Sequence, residues 1–236
     1  MICDAIIPKQ SASWVEDRPF LLWEIGPRRI LDHWMDTLFR SNATLRLWME
    51  IPDERLMAFV RETFPLNLRI QAGAGPPTSR PEACTFLDSK GSIIIRRGPQ
   101  LTPYLPKQPA SHTWFAMVRK WLAELQETGS QTPEVERHVA PGVFVGHHCD
   151  ISKDTQLIAP CWVGSGSTIR GATVGPQAVI GENCIISHGC RIEDSYVVGT
   201  TYVKPYTQMV SLAMGRTGAI SHATGTDPAS PPMVQH

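Results

Sequence analysis

The chain has 236 residues, room for two domains of ordinary size. Its 22 Lys and Arg balance 22 Asp and Glu, which leaves no electrostatic case for a nucleic-acid or anionic-membrane partner. No apolar run approaches membrane-spanning length, and Asp4 follows Met1-Ile2-Cys3 where a basic lead into a signal segment would stand, so a soluble cytoplasmic protein is expected.

Residues 1–127 read as alternating strands and helices. An apolar strand spans residues 2–7. Ile30, Leu31, Trp34, Met35, Leu38 and Phe39 recur at helical spacing, which predicts an amphipathic helix over 28–40. A strand follows at 45–51. Pro52-Asp53 opens a second helix, with Leu56, Met57, Phe59, Val60 and Phe64 on its buried face. A third strand covers 66–71, a Gly/Pro-rich loop covers 73–81, and another strand covers 92–96. Past Pro99, Pro103, Pro106 and Pro109, a long helix is expected over 111–127, its apolar stripe running from Trp114 through Trp121 to Leu125. Such alternation implies a parallel, doubly wound sheet. Residues 128–138 are the linker.

From Val139 the period changes. Eleven consecutive hexapeptides begin with an aliphatic residue: Val139, Val145, Ile151, Leu157, Val163, Ile169 and, after a one-residue contraction, Val174, Ile180, Ile186, Ile192 and Val198. Isoleucine, leucine and valine make up about a fifth of the chain, so eleven of eleven is no accident of composition. The fifth position of each hexad is restricted too: Val143, Cys149, Thr155, Cys161, Ser167, Thr173, Ala178, Cys184, Cys190, Tyr196 and Tyr202. A short β-segment and a corner every six residues, three to a coil, predict a left-handed parallel β-helix over 139–209. Its open ends need covering, which the long helix would do at one end. The tail, 210–236, is rich in Gly, Thr and Pro, and disorder is expected from Ser221 onward.

Cys149, Cys161, Cys184 and Cys190 all take the fifth position, which should point into the prism. Cys149 and Cys184 share a face but sit two coils apart, and at about 4.8 Å per coil they are too distant to bridge. All four read as small buried residues, and no zinc-ligand spacing appears. The histidines of the coils, His147, His148 and His188, fall at outward corners.

Several stretches resemble a known family. Residues 19–26, Pro-Phe-Leu-Leu-Trp-Glu-Ile-Gly, with 29–34, Arg-Ile-Leu-Asp-His-Trp, are similar to the N-terminal segment of the sugar-phosphate nucleotidyltransferases, or nucleotide-sugar pyrophosphorylases. Residues 159–164, 169–176 and 194–203 are similar to the same family's β-helix. The resemblance covers roughly residues 1–75 and 139–207, and implies a small nucleotidyltransferase-like α/β domain before a short left-handed β-helix.

That family cradles nucleotide phosphates in a Gly-rich loop after the first strand, adds a basic residue against phosphate charge, and holds Mg²⁺ on carboxylates. Here the loop is Pro8-Lys9-Gln10-Ser11-Ala12-Ser13, and no glycine occurs between Met1 and Gly26. By resemblance, Lys9, Ser11, Ser13 and Arg18 are the phosphate-binding candidates, Lys9 and Arg18 the catalytic ones, and Asp88, after Phe86-Leu87, the metal candidate. Residues 88–91, Asp-Ser-Lys-Gly, also read as a plain turn between strands. With the phosphate loop altered, the expectation is a non-catalytic or regulatory member. It would bind a nucleotide sugar or a catalytic homologue in nucleotide-sugar or polysaccharide metabolism, and oligomerise through its β-helix.

Two alternatives remain. One is an active, Mg²⁺-dependent nucleotidyltransferase with an atypical phosphate loop. The other is a hexapeptide acyltransferase, a class built on the same β-helix, with His188 as general base.

Overall fold

The computed structural model describes residues 2–7, 22–33, 44–49, 54–63, 70–74, 83–87, 93–97, 110–128, 137–216 and 218–221. The chain divides into two compact units. One holds the N-terminal strands and helices up to Met117; the other holds residues from Val118 onward together with Glu24–Pro27.

The first unit is built on β1 (Ile2–Ile7), β4 (Thr44–Met49), β5 (Ile70–Ala74), β6 (Ala83–Leu87) and β7 (Ile93–Arg97). The two-residue strands β2 (Glu24–Ile25) and β3 (Arg28–Arg29) flank Gly26-Pro27. Helix α1 is Glu54–Thr63 and α2 is Ala110–Thr128. The sheet order is β5-β4-β1-β6-β7, so the chain steps outward from β1 to β5 and then returns to the other side of β1. β1 is parallel to β4 and β6, and β4 to β5, but β6 and β7 are antiparallel. The sheet is therefore mixed. Residues 88–92 are too few for a parallel crossover, so β7 must turn back on β6.

Three expected strands and both later helices form close to their expected bounds, whereas the strand expected at 66–71 is described only as Ile70–Ala74 and runs through Gly73, expected in a loop. Pairing of Trp48 with Gly73 on β4 holds it in the ladder despite glycine's poor strand preference. Of the helix expected over 28–40, Arg28–Arg29 form strand β3 instead, the turn at 30–33 is helical, and residues 34–40, Trp34 included, lie outside the described residues. Val60 is buried on α1, and the Arg29 guanidinium lies 4.5 Å over the ring of Phe59. Trp114, fully buried, meets Trp23 edge-on at 6.2 Å.

The second unit is a three-sided parallel β-solenoid of about four turns. Its strands run β8 (Arg137–Ala140), β9 (Val143–Val145), β10 (Asp150–Ile151), β11 (Gln156–Leu157), β12 (Cys161–Val163), β13 (Thr168–Ile169) and β14 (Thr173–Val174). They continue as β15 (Ala178–Ile180), β16 (Ile185–Ile186), β17 (Arg191–Glu193), β18 (Tyr196–Val197), β19 (Tyr202–Val203), β20 (Gln208–Val210), β21 (Leu212–Met214) and β22 (Ala219–Ser221). The second face is β10-β13-β16-β19 and the third is β11-β14-β17-β20. The remaining sheet, here the helix face, stacks β9, β12, β15, β18 and β21 between antiparallel β8 and β22.

The index residues stack as columns: Val145, Val163, Ile180, Val197 and Met214; Ile151, Ile169, Ile186 and Val203; Leu157, Val174, Ile192 and Met209. Each buried aliphatic side chain contributes about 1.5–3 kcal/mol. Three details correct the sequence register. Val139 is 54% exposed, because β8 is an antiparallel lead-in and not a coil. A second contraction puts Val197 in the column in place of Val198. The coils also run on to Met214, past residue 209.

The inward position is set by the index residue that follows it, two places on, because side chains alternate along a strand. It holds Ala172, Ser195 and Thr201, all buried, so the expected Thr173, Tyr196 and Tyr202 point outward. The contractions are absorbed in the corners. Gly171 takes one of these corners at φ +51°, where a Cβ would lie 2.7 Å from Asp154 Oδ2.

Outward residues divide the faces. On the helix face Phe144, Trp162, Val179, Tyr196 and Ala213 are each at most 1% exposed. The second half of α2 runs along this face instead of capping an end. Arg119 binds Asp194 through two nitrogens (2.6–2.9 Å), Trp121 meets Trp162 edge-on at 5.3 Å, and Gln126 closes on Gly142. Tyr196 Oη donates to the Gly26 carbonyl at 3.4 Å, and Gly26 packs on the Trp121 ring so closely that a Cβ would come within 2.2 Å of it.

Candidate functional site

Among the described residues, polar chemistry is concentrated at the corner between the second and third solenoid faces; the candidates named from sequence follow the ends of β1 and β6 in the chain. β1 and β6 are parallel neighbours, and the strand order reverses between them. In sequence, the segment with Lys9, Ser11 and Ser13 follows Ile7 of β1, and Asp88 follows Leu87 of β6. In open α/β sheets this reversal, outside the carboxyl ends of the strands, is where ligands bind. Lys9, Ser11, Ser13, Arg18 and Asp88 themselves lie outside the described residues.

The solenoid corner is described in full. Its four levels are residues 152–155, 170–172, 187–190 and 204–207. Ser152 Oγ accepts from the Gly171 amide at 2.9 Å and bonds Thr155 Oγ1 at 3.0 Å. The Ser152 hydroxyl, ahead of backbone amides, holds the Asp154 carboxyl below the usual carboxylate range. Arg170 pairs with Asp150 on the coil below. His188 is exposed, and its ring meets Tyr206 edge-on at 4.9 Å. Gly189 makes room for that phenol, since a Cβ there would lie 2.4 Å from Tyr206 Cδ1. His147 and His148 occupy a different corner, their rings 6.4 Å apart, away from His188. Among the described residues no cluster of His, Cys, Asp or Glu is arranged to hold a metal.

Cys161, Cys184 and Cys190 are buried and Cys149 half-buried, all free and packed in the solenoid core. Burial pushes the Cys161 thiol up to about 12 and Cys184 to about 11, and raises Cys190. Protonated at neutral pH, they are hydrogen-bond donors and poor nucleophiles. Cys149 Sγ donates to Gly164 O (3.2 Å), Cys184 Sγ to Val198 O (3.3 Å) and Cys190 Sγ to Lys204 O (3.0 Å), each on the next coil. Ser167 Oγ does the same to Gly181 O at 2.9 Å.

The sequence reading named His188 but passed over its neighbours Tyr206 and Asp154. Tyr206 is legible only once the second contraction is placed, because the register then sets it one coil above the 187–190 turn. No described helix is long and apolar enough to cross a membrane. No protein-family model matches the chain, and no curated protein matches it.

Proposed function

We propose that the protein is a non-catalytic or regulatory relative of the nucleotide-sugar pyrophosphorylases, pairing a small nucleotide-binding α/β domain with a left-handed β-helix that serves assembly. The observation that carries this reading is the strand order. It reverses between β1 and β6, and the candidate segments leave the sheet at the ends of those two strands. The segment after β1 lacks the glycines that let successive amides converge on a phosphate, which favours binding over turnover. Nucleotide sugars are therefore expected to raise the melting temperature, while no pyrophosphate is released from a nucleoside triphosphate and a sugar 1-phosphate with Mg²⁺. Absence of any shift, together with no binding to a catalytic homologue, would sink the proposal. Pyrophosphate release that disappears on Lys9→Ala and Arg18→Ala would replace it with the active enzyme.

The acyltransferase reading draws on one observation, the exposed His188 imidazole held against Tyr206. It requires a melting shift with acyl-coenzyme A and loss of acyl transfer in His188→Ala. Transfer that survives this substitution removes His188 as the base.

A further inference from the structure

The corner between the second and third solenoid faces carries a recess whose cause lies in the sequence. From one index residue to the next the chain uses six residues below it, Ile151 to Leu157, and six above, Ile186 to Ile192, but five between Ile169 and Val174. The turn at 170–172 is therefore one residue shorter than its neighbours. At its centre stands Gly171, and Gly189 stacks on it one coil up, donating its amide to the Gly171 carbonyl at 2.8 Å. Two side chains enter the room these glycines leave. Asp154 reaches up from the coil below, its Oδ2 2.7 Å from where a Gly171 Cβ would stand, and Tyr206 reaches down onto Gly189 from the coil above. His188 completes the recess: its Cβ lies 3.6 Å from that same Gly171 position, and its ring meets Tyr206 edge-on. A carboxylate, an imidazole and a phenol from three coils thus converge on two glycines that are one coil spacing, about 4.8 Å, apart.

The charges around the recess narrow what it can hold. Asp150 pairs with Arg170 and Glu193 with Arg191, whereas among the described residues no cation stands within ion-pair distance of the Asp154 carboxylate. That carboxylate at the floor disfavours an anion. Lys153, Arg170 and Lys204, all exposed, outnumber Asp150 and Asp154 at this corner, which disfavours a cation. Neither objection touches a neutral ligand rich in hydroxyls. Its O–H groups can donate to the carboxylate in charge-assisted bonds, and the imidazole and phenol both donate and accept. Tyr206, 57% exposed yet fixed against Gly189, offers apolar ring surface to a C–H face.

We propose that this recess is a saccharide-binding site, in which Asp154 accepts from neighbouring hydroxyls of the sugar, His188 bonds a further oxygen and Tyr206 packs on the ring. The site depends neither on nucleotide binding by the first unit nor on His188 acting as a base.

Titration of the whole chain with methyl mannoside, methyl galactoside and N-acetylglucosamine, followed through the NMR signals of the His188 imidazole and the Tyr206 ring, tests this. With no nucleotide present, at least one of the three should shift both sets of signals saturably. Asp154→Ala and Tyr206→Ala should each weaken that sugar at least about tenfold. Lys153→Ala and Lys204→Ala remove charge but no converging group, and should change its affinity by less than about twofold. If Asp154→Ala disturbs the amide spectrum, Asp154→Asn keeps the shape and should still weaken binding several-fold. Absence of a shift with all three sugars overturns the proposal, as does binding that Asp154→Ala leaves unchanged. Shifts produced by phosphate or ethylammonium but by none of the sugars also overturn it, and assign the corner to an ion.

Discussion

The helix face and the second face of the solenoid share one backbone and one kind of core, yet their outward residues have opposite fates. Phe144, Trp162, Val179 and Tyr196 are buried, Trp162 against Trp121 of α2 and Tyr196 against Gly26, whereas Ile185 and Tyr202 stand 50% and 56% exposed. Inward residues build the coil; the single outward residue at the middle of each strand determines what the coil is packed against. Three-residue strands such as Cys161–Val163 occur on the helix face, where this middle residue is apolar and flanked by two inward ones.

The sharpest way to break the comparison is to empty the covered face. Trp162→Ala should cost about 3–5 kcal/mol in denaturant unfolding, since it removes a fully buried ring and leaves Trp121 without its partner. A loss under about 1 kcal/mol would mean that the helix does not depend on this face.

Alkaline pH probes the core that all faces share. The folded state keeps Cys161 and Cys184 protonated up to about 12 and about 11, whereas the unfolded chain releases those protons near the ordinary value of 9.0. Their contribution is fully present below that value and is lost as pH climbs through the raised ones. Replacing both by Ala should flatten the decline in stability between these limits; an unchanged slope would show that other groups cause it.

Ser167→Ala should cost about 1–3 kcal/mol, because it strands both the Gly181 carbonyl and the Cys184 amide in the core. Arg119→Ala should cost about 1 kcal/mol, since the ion pair with Asp194 is two-pronged but its partners are 36% and 24% exposed. Half that loss should remain at high salt, through the lost packing of the side-chain stem. Tyr202→Ser, on the open face, should stay within about 0.5 kcal/mol in melting experiments. A larger loss would show that the second face is covered in solution.

The solenoid was legible because its signal is local and repeated. Aliphatic residues at a fixed spacing, with small residues two places before them, leave few alternatives to a coil of three short strands. The misreadings were equally local. Counting six forward from Ile192 lands on Val198, while alternation counted back from Val203 puts Thr201 inward and Tyr202 outward. Tyr196 illustrates the other limit. Its burial looks like a core signature, yet it faces outward and is covered by Gly26, 170 residues earlier in the chain. Of the candidate site, His188 was visible as an exposed corner histidine, but its contact with Tyr206 depends on the stacking of successive coils.

The sequence by itself determined the coil, its columns from Val145 to Ile192 and the inward place of the cysteines, because period and alternation act over six residues and need no distant partner. It also determined most strands and helices of the first unit, through apolar runs and helical spacing. Only the tertiary structure decided the antiparallel turn of β7, the face on which α2 lies, and which outward aromatics are sealed. Those outcomes depend on which distant surfaces meet, and no local period encodes the meeting of Trp121 with Trp162 or of Gly26 with Tyr196.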